Sequence, residues 1–227
     1  MTTAPDPKRQ PARALAHAAI ERGEPLAWFE ELYAGAAGEQ AIPWADLVPN
    51  PHLMSWLEGR QLSGRALKVG CGLGDDAEAL AALGLDIVAF DISPTAIDWC
   101  RRRFPDSRVE YVVADVLDPP DEWTGAFDFV LECYTLQVLP PELRAPAAAR
   151  IEAMVAPGGT LLVIARGRDE EDPPGQMPWP LTADELKGCF GLERVSFEDF
   201  LDDEAPPVRR LRMELRPRSD GKGNTVR

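Results

Sequence analysis

From Gly64 onward the chain alternates short apolar runs with helix-like segments, and this alternation restricts the fold more than any other feature. The runs are Ala66–Val69, Asp86–Phe90, Val109–Val113, Phe127–Leu131 and Thr160–Ala165, with helices expected over Asp76–Leu83, Thr95–Phe104 and Glu142–Val155. Strands of this length separated by helices form βαβ crossovers, hence a parallel sheet covered on both faces. The stretch from Pro119 to Gly125 is too short for a full crossover helix. Pro157, Gly158 and Gly159 are expected to end the preceding helix and turn the chain into the fifth strand. Thr182 and Glu185 form a capping box for a further helix. Leu192–Phe200 and Val208–Leu215 then read as strands whose short linker makes them an antiparallel pair.

Before this core lie a Pro-rich tail expected to be disordered over residues 1–11 and a helical cover over 12–59, with helices at Ala12–Ile20, around Trp28–Tyr33 and at His52–Leu57. The core is assigned to 60–218 and a flexible tail to 219–227. The expected fold is therefore a Rossmann-like α/β sheet, parallel with a C-terminal antiparallel hairpin.

The segment Val69-Gly70-Cys71-Gly72-Leu73-Gly74-Asp75 follows the first strand and opens a helix. Its glycines let the backbone approach a ligand closely. A dinucleotide fingerprint needs Gly-x-Gly-x-x-Gly, and its third position here is Asp75, followed by Asp76. Two carboxylates at a helix N-terminus repel a pyrophosphate and suit an ammonium or sulfonium. Asp91, with Ile92 beside it, ends the second strand 17 residues after Gly74, where a carboxylate accepts both ribose hydroxyls of an adenosine. Asp115, with Val116, ends the third strand where an adenine amino group needs an acceptor; the competing reading is a turn aspartate.

These pieces, with Phe127-Asp128-Phe129-Val130-Leu131-Glu132 and Ala156-Pro157-Gly158-Gly159-Thr160, resemble in order and spacing the motifs of the class I S-adenosylmethionine-dependent methyltransferases over residues 60–217. The resemblance implies S-adenosyl-L-methionine as cofactor, held by Gly70, Cys71, Gly72, Gly74, Asp75, Asp91, Ile92, Asp115 and Val116. Lys68 departs from the pattern, since that family usually has an acid there which helps hold the methionine end; Asp75 or another carboxylate must then take the role. Pro43-Trp44-Ala45-Asp46, Tyr134-Thr135-Leu136-Gln137 and Leu139-Pro140-Pro141-Glu142-Leu143-Arg144 are most similar to the thiopurine, thiol and halide methyltransferase branch. That similarity implies Trp28, Tyr33 and Trp44 as a lid, and Glu132, Cys133 and Tyr134 at the transfer site.

The acceptor is expected to be a small molecule, with a thiol, selenol or halide favoured because a soft nucleophile needs no general base. An alcohol would need one, and Glu132, Tyr134, His17 and His52 are the candidates, the histidines reading otherwise as surface residues. Arg144, Arg166 and Trp179 join Tyr134 as candidate acceptor-binding residues, each of the two arginines having a salt-bridge reading and Trp179 a packing one. The run Arg209, Arg210, Arg212, Arg216 and Arg218 reads as one solvated face of a strand and a basic tail rather than an RNA-binding patch. Alternatives remain: an O- or N-methyltransferase of specialised metabolism, a non-catalytic cofactor binder, or a nicotinamide-dependent reductase.

A formal charge of -14 argues against nucleic-acid and anionic-membrane partners. No signal-like or membrane-length apolar run appears, so the expectation is a cytoplasmic protein, monomeric or homodimeric. The cysteines Cys71, Cys100, Cys133 and Cys189 never occur as Cys-x-x-Cys, so reduced thiols and no metal are expected.

Overall fold

The computed structural model describes residues 9–218. The apolar runs form strands β1 (Arg65–Val69), β2 (Asp86–Asp91), β3 (Glu110–Val113), β4 (Phe127–Cys133), β5 (Val155–Arg166), β6 (Glu193–Leu201) and β7 (Arg209–Arg216). They join in one sheet of order β3-β2-β1-β4-β5-β7-β6. The first five strands are parallel, and β7 runs antiparallel to both β5 and β6. The helices are α1 (Gln10–Glu21), α2 (Ala27–Gly35), α3 (Pro51–Leu57), α4 (Asp75–Ala82), α5 (Pro94–Arg103), α6 (Pro141–Ala153) and α7 (Ala183–Gly188). Only a three-residue 3-10 turn, Asp121–Trp123, occupies the shortened crossover. The capping box of α7 is formed, with Thr182 and Glu185 satisfying each other's backbone N–H groups. No described helix is long and apolar enough to cross a membrane.

Strand alternation divides the core into two layers. Leu67, Val69, Val130, Leu161 and Val163 share one apolar cluster with Ala147, Ala148 and Ile151 of α6. Ala66, Phe129, Leu131, Leu162 and Ile164 face Leu53, Trp56, Ala77 and Leu80 of α3 and α4. A third cluster joins Ala12, Ala16 and Ala19 of α1 to Trp28, Leu32 and Tyr33 of α2. Alanines on one helical stripe bring α1 close, so the cover is a packed layer.

Two boundaries differ from the sequence reading. Gln10 and Pro11 belong to the first turn of α1 rather than to a disordered tail. Proline fits there because its missing N–H would have no helical partner. Residues 1–8 and 219–227 of the expected tails lie outside the described residues. Further on, α6 stops at Ala153, and Val155 already pairs with Phe127 in the sheet. Pro157, Gly158 and Gly159 therefore sit in an irregularity within β5 instead of ending the helix. A Cβ at Gly159 would come within 2.9 Å of the Phe127 carbonyl and 3.1 Å of the Asp128 carbonyl, so close strand approach explains this glycine.

Connections from β1 lead towards β2 and β3, whereas those from β4 lead towards β5 and β7. Strand order reverses between β1 and β4, and open α/β sheets bind ligands outside the carboxyl ends of their strands at that reversal.

Candidate active site

A cavity of about 570 Å³ opens at this point, within the range of small-molecule sites. Its floor is the loop from Gly70 to Leu73. The Cys71 N–H donates to the Phe90 carbonyl at 2.7 Å and the Gly72 N–H to Asp91 Oδ2 at 2.9 Å, which ties the loop to the end of β2. At Gly72 φ is 54°, and an added Cβ would meet only Tyr33 Oη at 3.4 Å and Trp44 Nε1 at 4.0 Å. The missing side chain thus leaves open the space between the loop and the aromatic cover. Gly74 has a different reason: a Cβ there would strike Tyr111 Oη at 2.5 Å, and the residue caps α4 outside the cavity wall.

Cys71, Asp75, Asp91, Ile92, Asp115, Val116 and Cys133 all line the cavity with Gly70 and Gly72. Asp91 is buried, and Oδ1 accepts the Ser93 N–H at 3.0 Å. Burial raises its pKa, opposed by the two backbone donors and by Lys68. Asp115 Oδ1 accepts the Leu117 N–H at 2.8 Å, closing a turn while the residue still reaches the wall. Asp75 forms a two-pronged pair with Arg103 at 2.8 and 2.9 Å, and Arg103 also donates to the Leu73 carbonyl. Its charge is therefore committed. Asp76 accepts the Asn50 N–H at 2.7 Å and lies 3.9 Å from Lys68 Nζ.

Lys68 is buried, and its ammonium donates to the carbonyls of Val69 at 2.9 Å and Gly70 at 3.3 Å. It braces the loop from below. Asp46, beside Trp44 on the cover, is the one carboxylate of the wall with no hydrogen bond or ion pair to another described residue.

Of the three lid aromatics, Tyr33 and Trp44 line the cavity, joined by a 3.1 Å bond from Trp44 Nε1 to Tyr33 Oη. Trp28 does not line it. It stacks on Phe29 at 3.9 Å and packs with Leu32, one helical turn on, in the cluster shared with α1, so Leu26 and Phe29 present the apolar surface instead. Glu132 is also off the wall and fully buried. It has the parity of Val130 in β4, which points to the α6 face, whereas Cys133 points to the other. Its Oε1 accepts the N–H groups of Thr135 at 2.7 Å and Leu136 at 2.9 Å, fixing the turn after β4, and Oε2 has no partner. Burial pushes its pKa up to about 7. The placement sets Glu132 behind the cavity wall rather than at the transfer site expected of it.

Tyr134 lines the cavity with φ at 64°, a left-handed conformation costing a non-glycine residue about 1 kcal/mol or more. The Arg210 guanidinium lies 5.4 Å over its ring. Burial and Cys133 raise its hydroxyl pKa, and burial raises that of the Cys133 thiol, so both stay protonated. Arg166 is on the wall, but Arg144 and Trp179 are not. The Arg144 guanidinium lies 5.7 Å over the Trp179 ring, and the Trp179 backbone is held by the Gln137 carbonyl, so the two pack together and leave Met177 and Pro178 facing the cavity.

Arg210, read as part of a solvated face, is 5% exposed and lines the cavity, held by Asp202 at 2.6 Å and by Glu204. That face fails because β7 lies inside the sheet. His17 is exposed beside Glu21, while His52 is tucked against Phe200, 3.7 Å from Asp202; neither reaches the cavity.

Residues 66–159 match a family described as a methyltransferase domain. The chain is 28% identical over 200 residues to a probable thiol methyltransferase 2 of Arabidopsis thaliana, covering 84% of each chain. It is 29% identical over 183 residues to a 2-heptyl-1-hydroxyquinolin-4(1H)-one methyltransferase of Mycobacteroides abscessus, covering 78% of each. Its fold is similar to the N-methyltransferase NodS of Bradyrhizobium japonicum, solved with S-adenosyl-L-homocysteine (TM-score 0.65, 20% identity, 86% of this chain and 98% of that one). With a glycine-floored cavity at the strand reversal, residues 66–159 form a methyltransferase domain, and the fold and the relatives along most of the chain are similar to those of S-adenosylmethionine-dependent methyltransferases.

Proposed function

We propose that this enzyme methylates a small acceptor that arrives already ionised or intrinsically nucleophilic, a thiol above all. The observation that carries this reading is the absence of a free proton acceptor on the β4–β5–β7 side of the cavity among the described residues. Glu132 and both histidines are elsewhere, Tyr134 and Cys133 hold their protons, and Glu204 is paired with Arg210. General-base catalysis needs a group within hydrogen-bonding reach of the acceptor proton. The similarity to a thiol methyltransferase points the same way. An acidic hydroxyl meets the same requirement, and the quinolone methyltransferase relative favours it as the second reading.

The cavity fits the cofactor: the open face of Gly72 forms a cradle a side chain would fill, and Asp91 stands at one end of it. Asp91 would hold the ribose, Asp115 the adenine amino group, with Ile92 and Val116 alongside. Tyr33 and Trp44 would cover the methionine end from above Gly70 and Gly72. Its ammonium would go to Asp46, since Asp75 and Asp76 have other partners and Lys68 repels it. When bound, S-adenosylmethionine supplies an activated methyl group for in-line displacement. The protein contributes position, and holding the reactants in line lowers such a barrier by up to about 7–11 kcal/mol.

The test is the pH dependence of S-adenosylhomocysteine release with aromatic thiols and phenols of graded acidity. The expected rates follow acceptor ionisation alone. A rate limb that stays at one pH for every acceptor would reveal an enzyme base and overturn the reading.

A further inference from the structure

Arg166 ends β5 directly opposite Arg210 in β7. β5 lies three strands from β2, about 14 Å at ordinary strand spacing. Both arginines thus stand at the far end of the cavity from Asp91, past the reversal between β1 and β4. Arg210 is spent on Asp202 and Glu204 and on the Tyr134 ring. Arg166 is not. Its backbone N–H is fixed by Gln137 Oε1 at 2.7 Å, yet its half-buried guanidinium makes no hydrogen bond or ion pair with another described residue. Burial, with Arg9 and Arg210 nearby, lowers its pKa to about 10, opposed by Glu204 and Tyr134. Such a cation, in no ion pair with another described residue, is poised to take a counterion from a ligand. Its planar fork matches a carboxylate, which a bare thiolate or halide cannot engage at two points. Besides the charged Arg9, Arg210 and Glu204, the cavity wall offers apolar and aromatic surface from Ala12, Leu26, Tyr134, Met177 and Pro178.

We propose that Arg166 is the specificity-determining residue for the acceptor, and that the acceptor is a small carboxylic acid with an apolar, ring-sized body, its carboxylate on Arg166 and its nucleophile turned towards Tyr134. The assignment rests on the reading above that the acceptor occupies the β4–β5–β7 end. Four probes test it by calorimetric titration of the protein saturated with S-adenosylhomocysteine: para-mercaptobenzoate, para-hydroxybenzoate and the two corresponding amides. Both acids should bind about 10–100-fold more tightly than their amides, as for hydrogen bonds to a charged group. Arg166→Gln should close that gap while leaving amide affinity unchanged, and Arg166→Lys should retain part of it. Equal affinity of acids and amides in the unaltered protein, or silence from all four, overturns the proposal without any variant having to fold. Equal weakening of acids and amides in Arg166→Gln also overturns it, since that marks a structural role. Turnover of the hydroxy acid but not the mercapto acid, with the charge gap intact, refutes the thiol preference and leaves the Arg166 assignment standing.

Discussion

Replacing Glu132 with glutamine separates a catalytic from a structural role. The carboxyl accepts two backbone N–H groups while Oε2 is buried without a partner, and desolvation raises its pKa to about 7 against the ordinary glutamate value of 4.5. Between those values the folded protein binds the extra proton and the unfolded chain does not. The stabilisation from this group is therefore complete below about pH 4.5 and is lost as the pH rises through 7. The gap corresponds to about 3 kcal/mol. Glu132→Gln keeps an oxygen for Thr135 and Leu136 but carries no charge at any pH. Any cost of fitting the amide is the same at every pH. Denaturant unfolding of both proteins at pH 5 and pH 8 should therefore show the variant gaining about 2–3 kcal/mol on the parent between the two conditions. Methyl transfer at pH 8 should stay within a few-fold of the parent. Loss of a general base would instead cost about 10²–10⁴-fold. A stability difference that does not change with pH, together with such a loss, would refute the placement of this residue behind the cavity.

Asp91→Ala should weaken S-adenosylhomocysteine binding by about 1.5–3 kcal/mol in a calorimetric titration, because it removes ligand contacts and also frees the Gly72 and Ser93 N–H groups that shape the loop. Unchanged affinity would mean the ribose lies elsewhere. Asp46→Asn should lower cofactor affinity by roughly tenfold with an unchanged melting temperature, as no described residue depends on that carboxylate. Gly70→Ala should destabilise the protein by about 1–3 kcal/mol, read by thermal unfolding. Its φ is 55°, and the new methyl would lie 2.5 Å from Thr135 Oγ1.

The strand and helix pattern was legible because β2, β4 and β5 are apolar on both faces over most of their length, and Ser93-Pro94 gives α5 its own start signal. The cavity wall around the glycine loop and Asp91 was legible for the same reason. Its residues sit at strand ends or in the glycine loop, where position along the chain fixes position in space. Glu132 and Trp28 were misplaced although the information was present: the parity of Val130 and the helical spacing of Leu32 assign both to the interior. Arg144 and Trp179 are different. Their directions depend on how the loop after β5 packs against the turn after β4, a long-range contact with no local signature. Arg210 was hidden likewise, since only the insertion of β7 between β5 and β6 buries an arginine on the polar face of an alternating strand.

That insertion leaves nine-residue β6 as one rim of the sheet, hydrogen-bonded on a single side. A long unpaired rim is a template for strand addition by another copy. Here Glu198 pairs with Arg212 and Asp199 with Arg209, both at 2.6 Å across the hairpin, while Glu193 and Arg194 stand exposed at its start. Any incoming strand must dock beside these fixed charges, on a molecule carrying -14 overall. The charged residues of β6 therefore act in the dissolved state more than in the folded one: they guard against aggregation, and acid or high salt weakens that guard.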